Sequence, residues 1–196
     1  SSWMIGLIQP EKDSIRQLKL QKVKKEDFPE DSLLLIDLKS DERIKIPGVD
    51  GYKLPKKIKN WYAYQVPTKV EKDTVAIKAN TVKNKDEPFV LNIQSFVDDT
   101  SYVFESVLDY GFSDDGSKVY LIGKEEGSIE GFKNIKLFDL DSGIGNLLID
   151  SLTAYKAPIF SSDGTQFAVL GSTSAVKDEI KDFQMYLLDG DGKFKQ

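Results

Sequence analysis

The sequence predicts an all-β chain, a β-propeller segment of about four consecutive four-stranded antiparallel units with the first and last incomplete. Three observations carry this expectation. A turn phrase occurs twice: Phe112-Ser113-Asp114-Asp115-Gly116-Ser117-Lys118-Val119-Tyr120-Leu121 returns 48 residues on as Phe160-Ser161-Ser162-Asp163-Gly164-Thr165-Gln166-Phe167-Ala168-Val169. Each copy ends one strand, turns through a glycine suited to positive φ, and opens a run that is apolar on both faces. Two further registers agree with it. The apolar runs begin at Trp3, Trp61, Val119 and Phe167, and the runs that follow them close on Asp37, Asn92, Asp139 and Asp189. Tandem copies of a sheet unit, with strands buried on both faces, suit blades stacked around an axis.

Taken in order, residues 3–8 read as a strand closed by Gln9-Pro10, and residues 11–31 as a charged excursion in which Ile15, Leu18 and Val23 line one side of a short helix. Residues 33–38 are a buried strand, Lys39 to Glu42 a turn, and residues 43–47 an alternating strand at the sheet edge, ended by Pro47-Gly48. A Lys-rich loop leads to an aromatic strand at 61–66; a polar connection over 68–87 leads to strands at 89–93 and 100–104. The third unit has strands at 110–112, 119–122, 135–140 and 146–149, and the fourth at 157–160, 167–170 and 183–189. On this count the first unit lacks its innermost strand and the last its outermost. The units divide a single domain over 1–196 as 1–50, 51–105, 106–153 and 154–196. A β-sandwich is the competing arrangement.

Composition narrows function mostly by exclusion. A formal charge of −5 over 196 residues, 40% apolar and 30% charged, describes a globular chain with no positive field for nucleic acid. There is no cysteine and no histidine, so no disulfide, no thiolate metal site and no Ser-His-Asp triad can be assembled from this chain alone. The apolar run at Trp3 is too short for a membrane span or a signal peptide.

The chemical candidates are few. Oxygen-rich loops at Asp114 to Ser117, Asp139 to Gly143, Ser162 to Thr165 and Asp189 to Gly192 resemble calcium loops, with Asp189 and Asp191 the best candidates. None has the downstream bidentate glutamate of an EF-hand, and each falls where the repeat requires a turn, so Asp115, Gly116, Asp163 and Gly164 are read as blade-turn residues, with no metal and no cofactor expected. The acidic pairs Glu125-Glu126 and Asp98-Asp99, and Glu179, lie in loops. The innermost-strand residues Tyr110, Gly111, Phe112, Ala157, Pro158 and Ile159 supply no acid or base near the axis, so no catalytic residue is expected. The aromatics Trp61, Tyr62, Tyr64, Tyr102, Phe104 and Tyr120 are read as core between units rather than as a binding platform.

The two phrases, from Tyr110-Gly111-Phe112 and from Ile159-Phe160, resemble the Phe-Ser-x-Asp-Gly blade signature of the amino-terminal propellers of the prolyl oligopeptidase and dipeptidyl peptidase family, and of TolB-like and tricorn-like propellers. Val23 to Leu33, Ile36 to Ser40 and Asn60 to Gln65 are also similar to secreted bacterial members of that peptidase family. The first two units depart from the signature, with Lys56-Lys57-Ile58-Lys59-Asn60 where the third has Ser113-Asp114-Asp115-Gly116-Ser117. The resemblance implies a periplasmic or secreted protein whose propeller caps a C-terminal α/β-hydrolase domain carrying a Ser-Asp-His triad, screening peptide substrates. No catalytic residue carries over to this chain. A TolB-like interaction propeller without a hydrolase is the alternative implication. A segment cut from a ring would expose blade faces, so self-association is expected as well.

Overall fold

The structure, a computed structural model, describes residues 2–24, 27–57, 60–68, 87–124, 132–174, 181–188 and 194–195. Its strands are β1 (Trp3–Ile8), β2 (Ser32–Asp37), β3 (Arg43–Pro47), β4 (Gly51–Lys53), β5 (Trp61–Pro67), β6 (Phe89–Ser95), β7 (Ser101–Phe112), β8 (Lys118–Gly123), β9 (Lys133–Asp139), β10 (Ile144–Leu152), β11 (Ala154–Phe160), β12 (Phe167–Ser172), β13 (Gln184–Leu188) and β14 (Phe194–Lys195). Helix α1 (Lys12–Leu20) fills part of the charged excursion, with Asp13 in its first turn and Lys19 in its last, as the helix dipole favours. None of its residues is buried, and Ile15, Leu18 and Val23 are half-exposed.

Every strand pairing is antiparallel between sequence neighbours, giving sheets β1-β2-β3, β4 through β10, and β11-β12-β13-β14. The seven-stranded sheet is two units joined through β7. Residues from Ser101 to Phe104 of β7 pair with β6 and those from Asp109 to Phe112 pair with β8, with Val107 shared. The break coincides with Ser106 at φ 56 and with register shifts on both sides. A bulge with one residue in the left-handed region bends a strand sharply, so the outermost strand of one unit becomes the innermost strand of the next. A similar break recurs at Ser151, φ 102, near the end of β10 before β11, and at Gly48, φ 74, between β3 and β4.

The second strands dictate the packing. In β5, Trp61 and Ala63 pack towards β7 and β8, whereas Tyr62 and Tyr64 pack on Leu33, Leu35 and Val49 of the first unit. In β8, Val119 and Leu121 join the Trp61 cluster, whereas Tyr120 and Ile122 meet Phe167 and Val169 of β12. Because side chains alternate along a strand, a strand apolar in both phases requires a neighbour on each face. The middle units have their faces covered on both sides, which a two-sheet sandwich does not provide. The equivalent turns also lie side by side: the Lys57 amide donates to the Asp114 carbonyl at 2.9 Å, and the Lys118 ammonium reaches the Gly164 carbonyl at 3.4 Å.

At the two ends the pattern continues without a partner among the described residues. Beyond β12 the outward face carries Ile159, Leu170 and Met185, with Ile159 63% and Met185 60% exposed; beyond β2 it carries Met4, Leu34 and Ile36. The structure differs from the sequence reading in three places. The fourth unit has an outer strand, β14, pairing Lys195 with Leu187. The second unit has a short inner strand, β4, which the Lys-rich loop conceals. The inner strands β7 and β11 begin earlier than expected, which brings Asp109 and Lys156 into them.

Candidate functional site

The repeated turns form one hydrogen-bond pattern twice. At the first, the Ser113 hydroxyl donates to Asp115 Oδ1 at 2.7 Å and accepts the Lys118 amide at 3.0 Å, while the Ser117 hydroxyl donates to Asp115 Oδ2 at 2.9 Å. At the second, the Ser161 hydroxyl donates to Asp163 Oδ1 at 2.5 Å and accepts the Gln166 amide at 2.9 Å, while the Thr165 hydroxyl donates to Asp163 at 2.8 Å. Gly116 at φ 76 and Gly164 at φ 70 supply the left-handed residue. A second motif closes the third strands. Asp139 accepts from the Ser142 amide and hydroxyl, both at 2.8 Å, before Gly143 at φ 71, and Asp37 accepts from the Lys39 amide and the Ser40 hydroxyl before Asp41 at φ 57. Carboxylates engaged by donors of their own turn act as turn locks. Among the described residues no three acidic side chains gather as metal ligands; Asp189 and Asp191, with Glu125, Glu126 and Glu179, lie outside the described residues.

The hydroxyl donors on Asp163, Ser161 first, hold its carboxyl down to about 2. Because the folded value lies below the ordinary one, the turn's contribution to stability is complete above about pH 4 and is lost as pH falls towards 2. A carboxyl NMR titration is expected to show Asp163 titrating near 2, and Ser161→Ala to return it towards the ordinary aspartate range. An unshifted midpoint in the parent chain counts against the lock.

The predicted aromatic core is largely buried. Trp61, Tyr62, Tyr64 and Tyr120 lie within the clusters, and Tyr102 and Phe104 pack against Phe138. Tyr62 donates to Gln94, whose amide donates on to Tyr64, and burial pushes the Tyr62 hydroxyl up to about 12. Tyr110, 1% exposed, is the exception, because its hydroxyl is buried without a hydrogen-bond partner among the described residues. Removing an unsatisfied hydroxyl removes a desolvation cost, so Tyr110→Phe is expected to stabilise the chain by about 1 kcal/mol. A raised urea midpoint checks this; a lowered one implies a partner for the hydroxyl.

The inner strands are not free of charge, contrary to the sequence reading. Lys53 at the end of β4 crosses to β7, where its ammonium is 3.5 Å from Asp109 Oδ1, donates to the Tyr110 carbonyl and lies 4.3 Å from the Tyr110 ring centre. Asp109 in turn lines a cleft of about 350 Å³ between β7 and β11, together with Lys133 at the start of β9 and Ala154, Tyr155, Lys156, Ala157 and Pro158 of β11. The Lys133 ammonium lies 5.6 Å from the Tyr155 ring and the Lys156 ammonium 4.2 Å from the Phe183 ring. The register of β11 is lost between Lys156 and Ile159, and Ala157 has φ 49. Of the expected inner-strand residues, Ala157 and Pro158 line this cleft, whereas Tyr110, Gly111, Phe112 and Ile159 do not. The pairing of an aromatic with a charged residue in each inner strand, Tyr52-Lys53, Asp109-Tyr110 and Tyr155-Lys156, is the signal that marks it in the sequence.

No protein-family model matches the sequence, and no curated protein matches it. Solved structures do resemble the fold. The β-propeller domain of the Trilobed protease from Pyrococcus furiosus superposes with a TM-score of 0.54 at 13% identity, over 85% of this chain and 48% of that one. The tricorn protease gives 0.51 at 12% identity over 82% of this chain and 16% of its own. The acylaminoacyl peptidase of Pyrococcus horikoshii gives 0.50 at 11% identity over 85% and 28%. The chain thus spans less than half the length of each of these structures. With tandem antiparallel units stacked face to face and this likeness, the chain has the β-propeller fold.

Proposed function

We propose that the chain is a non-catalytic part of a propeller that screens or positions peptides for a hydrolase domain belonging to the same protein. The observation that carries this reading is the stacking of its sheets about an inner row of strands, β4, β7 and β11, with a cleft lined by Asp109 and Lys133 between β7 and β11. The likeness in fold to three peptidase structures supports the hydrolase partner. The two outward apolar faces, around Met4 and around Met185, suit cover by further sheets of the same ring. No helix among the described residues is long and apolar enough to cross a membrane.

Two measurements test the reading. The purified 196-residue chain is expected to leave chromogenic dipeptide substrates intact, and to sediment as a self-associated species through its end faces. The complete coding sequence is expected to hold a Gly-x-Ser-x-Gly nucleophile elbow followed by Asp and His. Hydrolysis by the chain alone overturns the non-catalytic assignment, and a coding sequence without those residues points to a TolB-like interaction propeller.

A further inference from the structure

The face beyond β12 repeats an interface that the chain already contains. Lys53 of β4 pairs with Ala63 of β5, and Lys156 of β11 pairs with Leu170 of β12. Ala63 packs towards the third unit, and Leu170 lies on the side of β12 opposite Phe167 and Val169, which pack back on the third unit. Residues paired in register share a face, so both lysines leave their inner strands towards the unit that follows. For Lys53 that unit is the third, which supplies its contacts: Asp109 Oδ1 at 3.5 Å, the Tyr110 carbonyl and the Tyr110 ring. For Lys156 no following unit stands among the described residues. Its ammonium lies 4.2 Å from the ring centre of Phe183 of its own unit, and it forms no salt bridge with any described residue.

The surroundings of Lys156 are those of a face that is completed by a neighbour. Ile159 and Met185, 63% and 60% exposed, share it with Leu170 and Leu187. Covering this face strips water from the ammonium beside it, a desolvation cost that only a negative partner offsets. The covering sheet is therefore selected by charge as well as by shape. A second copy of the chain does not meet that condition. Its other outward face presents Met4, Leu34, Ile36, Arg43 and Lys45 with no carboxylate in register, and β1 has no inner neighbour among the described residues to stand opposite β11. Self-association of the isolated chain through its end faces is on this account non-cognate and leaves Lys156 unpaired.

We propose that the face beyond β12 receives a further sheet whose inner strand brings a carboxylate to Lys156, as β7 brings Asp109 to Lys53. Apolar residues of that sheet meet Ile159, Leu170 and Met185, and the ion pair excludes sheets that lack the acid. The proposal rests on the reading of the chain as part of a larger ring, and adds the chemistry by which the next sheet is recognised.

The experiment uses the complete protein. Its coding sequence is expected to place an aspartate or glutamate on the first inner strand after Gln196. Lys156→Glu is expected to speed amide exchange at Leu170 and Leu187 about tenfold in the complete protein, and a lysine at the acidic position is expected to restore the slow rate in that variant. Lys156→Met, which keeps the aliphatic stem, is expected to act in the same direction with a smaller effect. In the 196-residue chain, diluted to a monomer, both variants are expected to leave these rates unchanged, because the face is open there. A coding sequence without that acid, equal acceleration in the chain and the complete protein, or failure of the exchanged charges to restore the rate overturns the proposal. A ring completed by such a sheet in a protein without a hydrolase leaves the interface standing and removes the peptidase reading. A hydrolase in a protein whose next inner strand lacks the acid does the reverse, so the two fail separately.

Discussion

Phe167→Ala is expected to lower the stability of the chain by about 3–5 kcal/mol. The ring is 1% exposed and sits at the centre of the cluster joining the third and fourth units, 5.5 Å from the Tyr120 ring and 5.2 Å from that of Phe160, among Ile122, Ile135, Leu152, Val169 and Tyr186. Truncation to a methyl removes the transfer free energy of the ring and leaves a cavity that two opposed sheets cannot both move to fill. Set against a typical total of about 5–15 kcal/mol, the loss is a large share. The location also fixes which part fails. Phe167 belongs to β12, whose sheet is bound to the rest largely through this cluster, so amide exchange is expected to accelerate across β11, β12 and β13 while β5 and β6 remain protected. Urea denaturation with hydrogen exchange measures both quantities. A loss below about 1 kcal/mol, or a uniform rise in exchange, means that the β11 to β14 sheet is held by something other than this face.

The same strand shows why the architecture was legible. Phe167 and Val169 face one neighbour, Ala168 and Leu170 the other side, and a run apolar in both phases is what the sequence displays at Trp61, Val119 and Phe167 alike. The turns were legible for a local reason, since Ser113 with Asp115 and Ser161 with Asp163 make their bonds within five residues. What escaped was non-local or out of phase. β7 reads as two strands because Ser106 and the shift after Val107 change which residues point inward, and a one-residue shift moves a whole pattern to the opposite face. β4 has only three residues and lies against a run of lysines, so it carries too little periodicity to register.

The candidate site was hidden for a related reason. Its members come from residues 109, 133 and 154–158, on three strands, and the aromatic-charged pairs Asp109-Tyr110 and Tyr155-Lys156 are too short a local signal to join them. Asp109, Lys133 and Lys156 each read as an ordinary polar position in a half-covered strand. Only the fold, which turns β7 and β11 towards one another, brings opposite charges to one cleft. The acidic loop pairs, more conspicuous in the sequence, yield nothing comparable where they are described, because Asp98 accepts the amide of Thr100 within its own exposed turn.

Gly123→Ala provides the second large effect, and it probes the bend between units directly. A Cβ at Gly123 would stand 2.7 Å from the Ser106 carbonyl oxygen and 3.6 Å from the Val107 Cα. Both are backbone atoms at the point where β7 passes from one unit to the next, and that carbonyl also accepts the Lys124 amide at 3.1 Å. A side chain in the way could change rotamer; this backbone can yield only by moving the bend, with Ser106 already at φ 56. The expected cost is about 1–3 kcal/mol, the range for forcing an extra carbon into a packed interior. Gly6→Ala serves as the control, since a Cβ there meets nothing within 4 Å and an alanine restricts the unfolded chain, so a neutral or slightly stabilising result is expected. The difference between the two variants in one thermal or urea series isolates the close approach from the general effect of losing a glycine. If both behave alike, the second strand of the third unit does not press on the bend, and the junction between units is looser than a shared, sharply turned β7 requires.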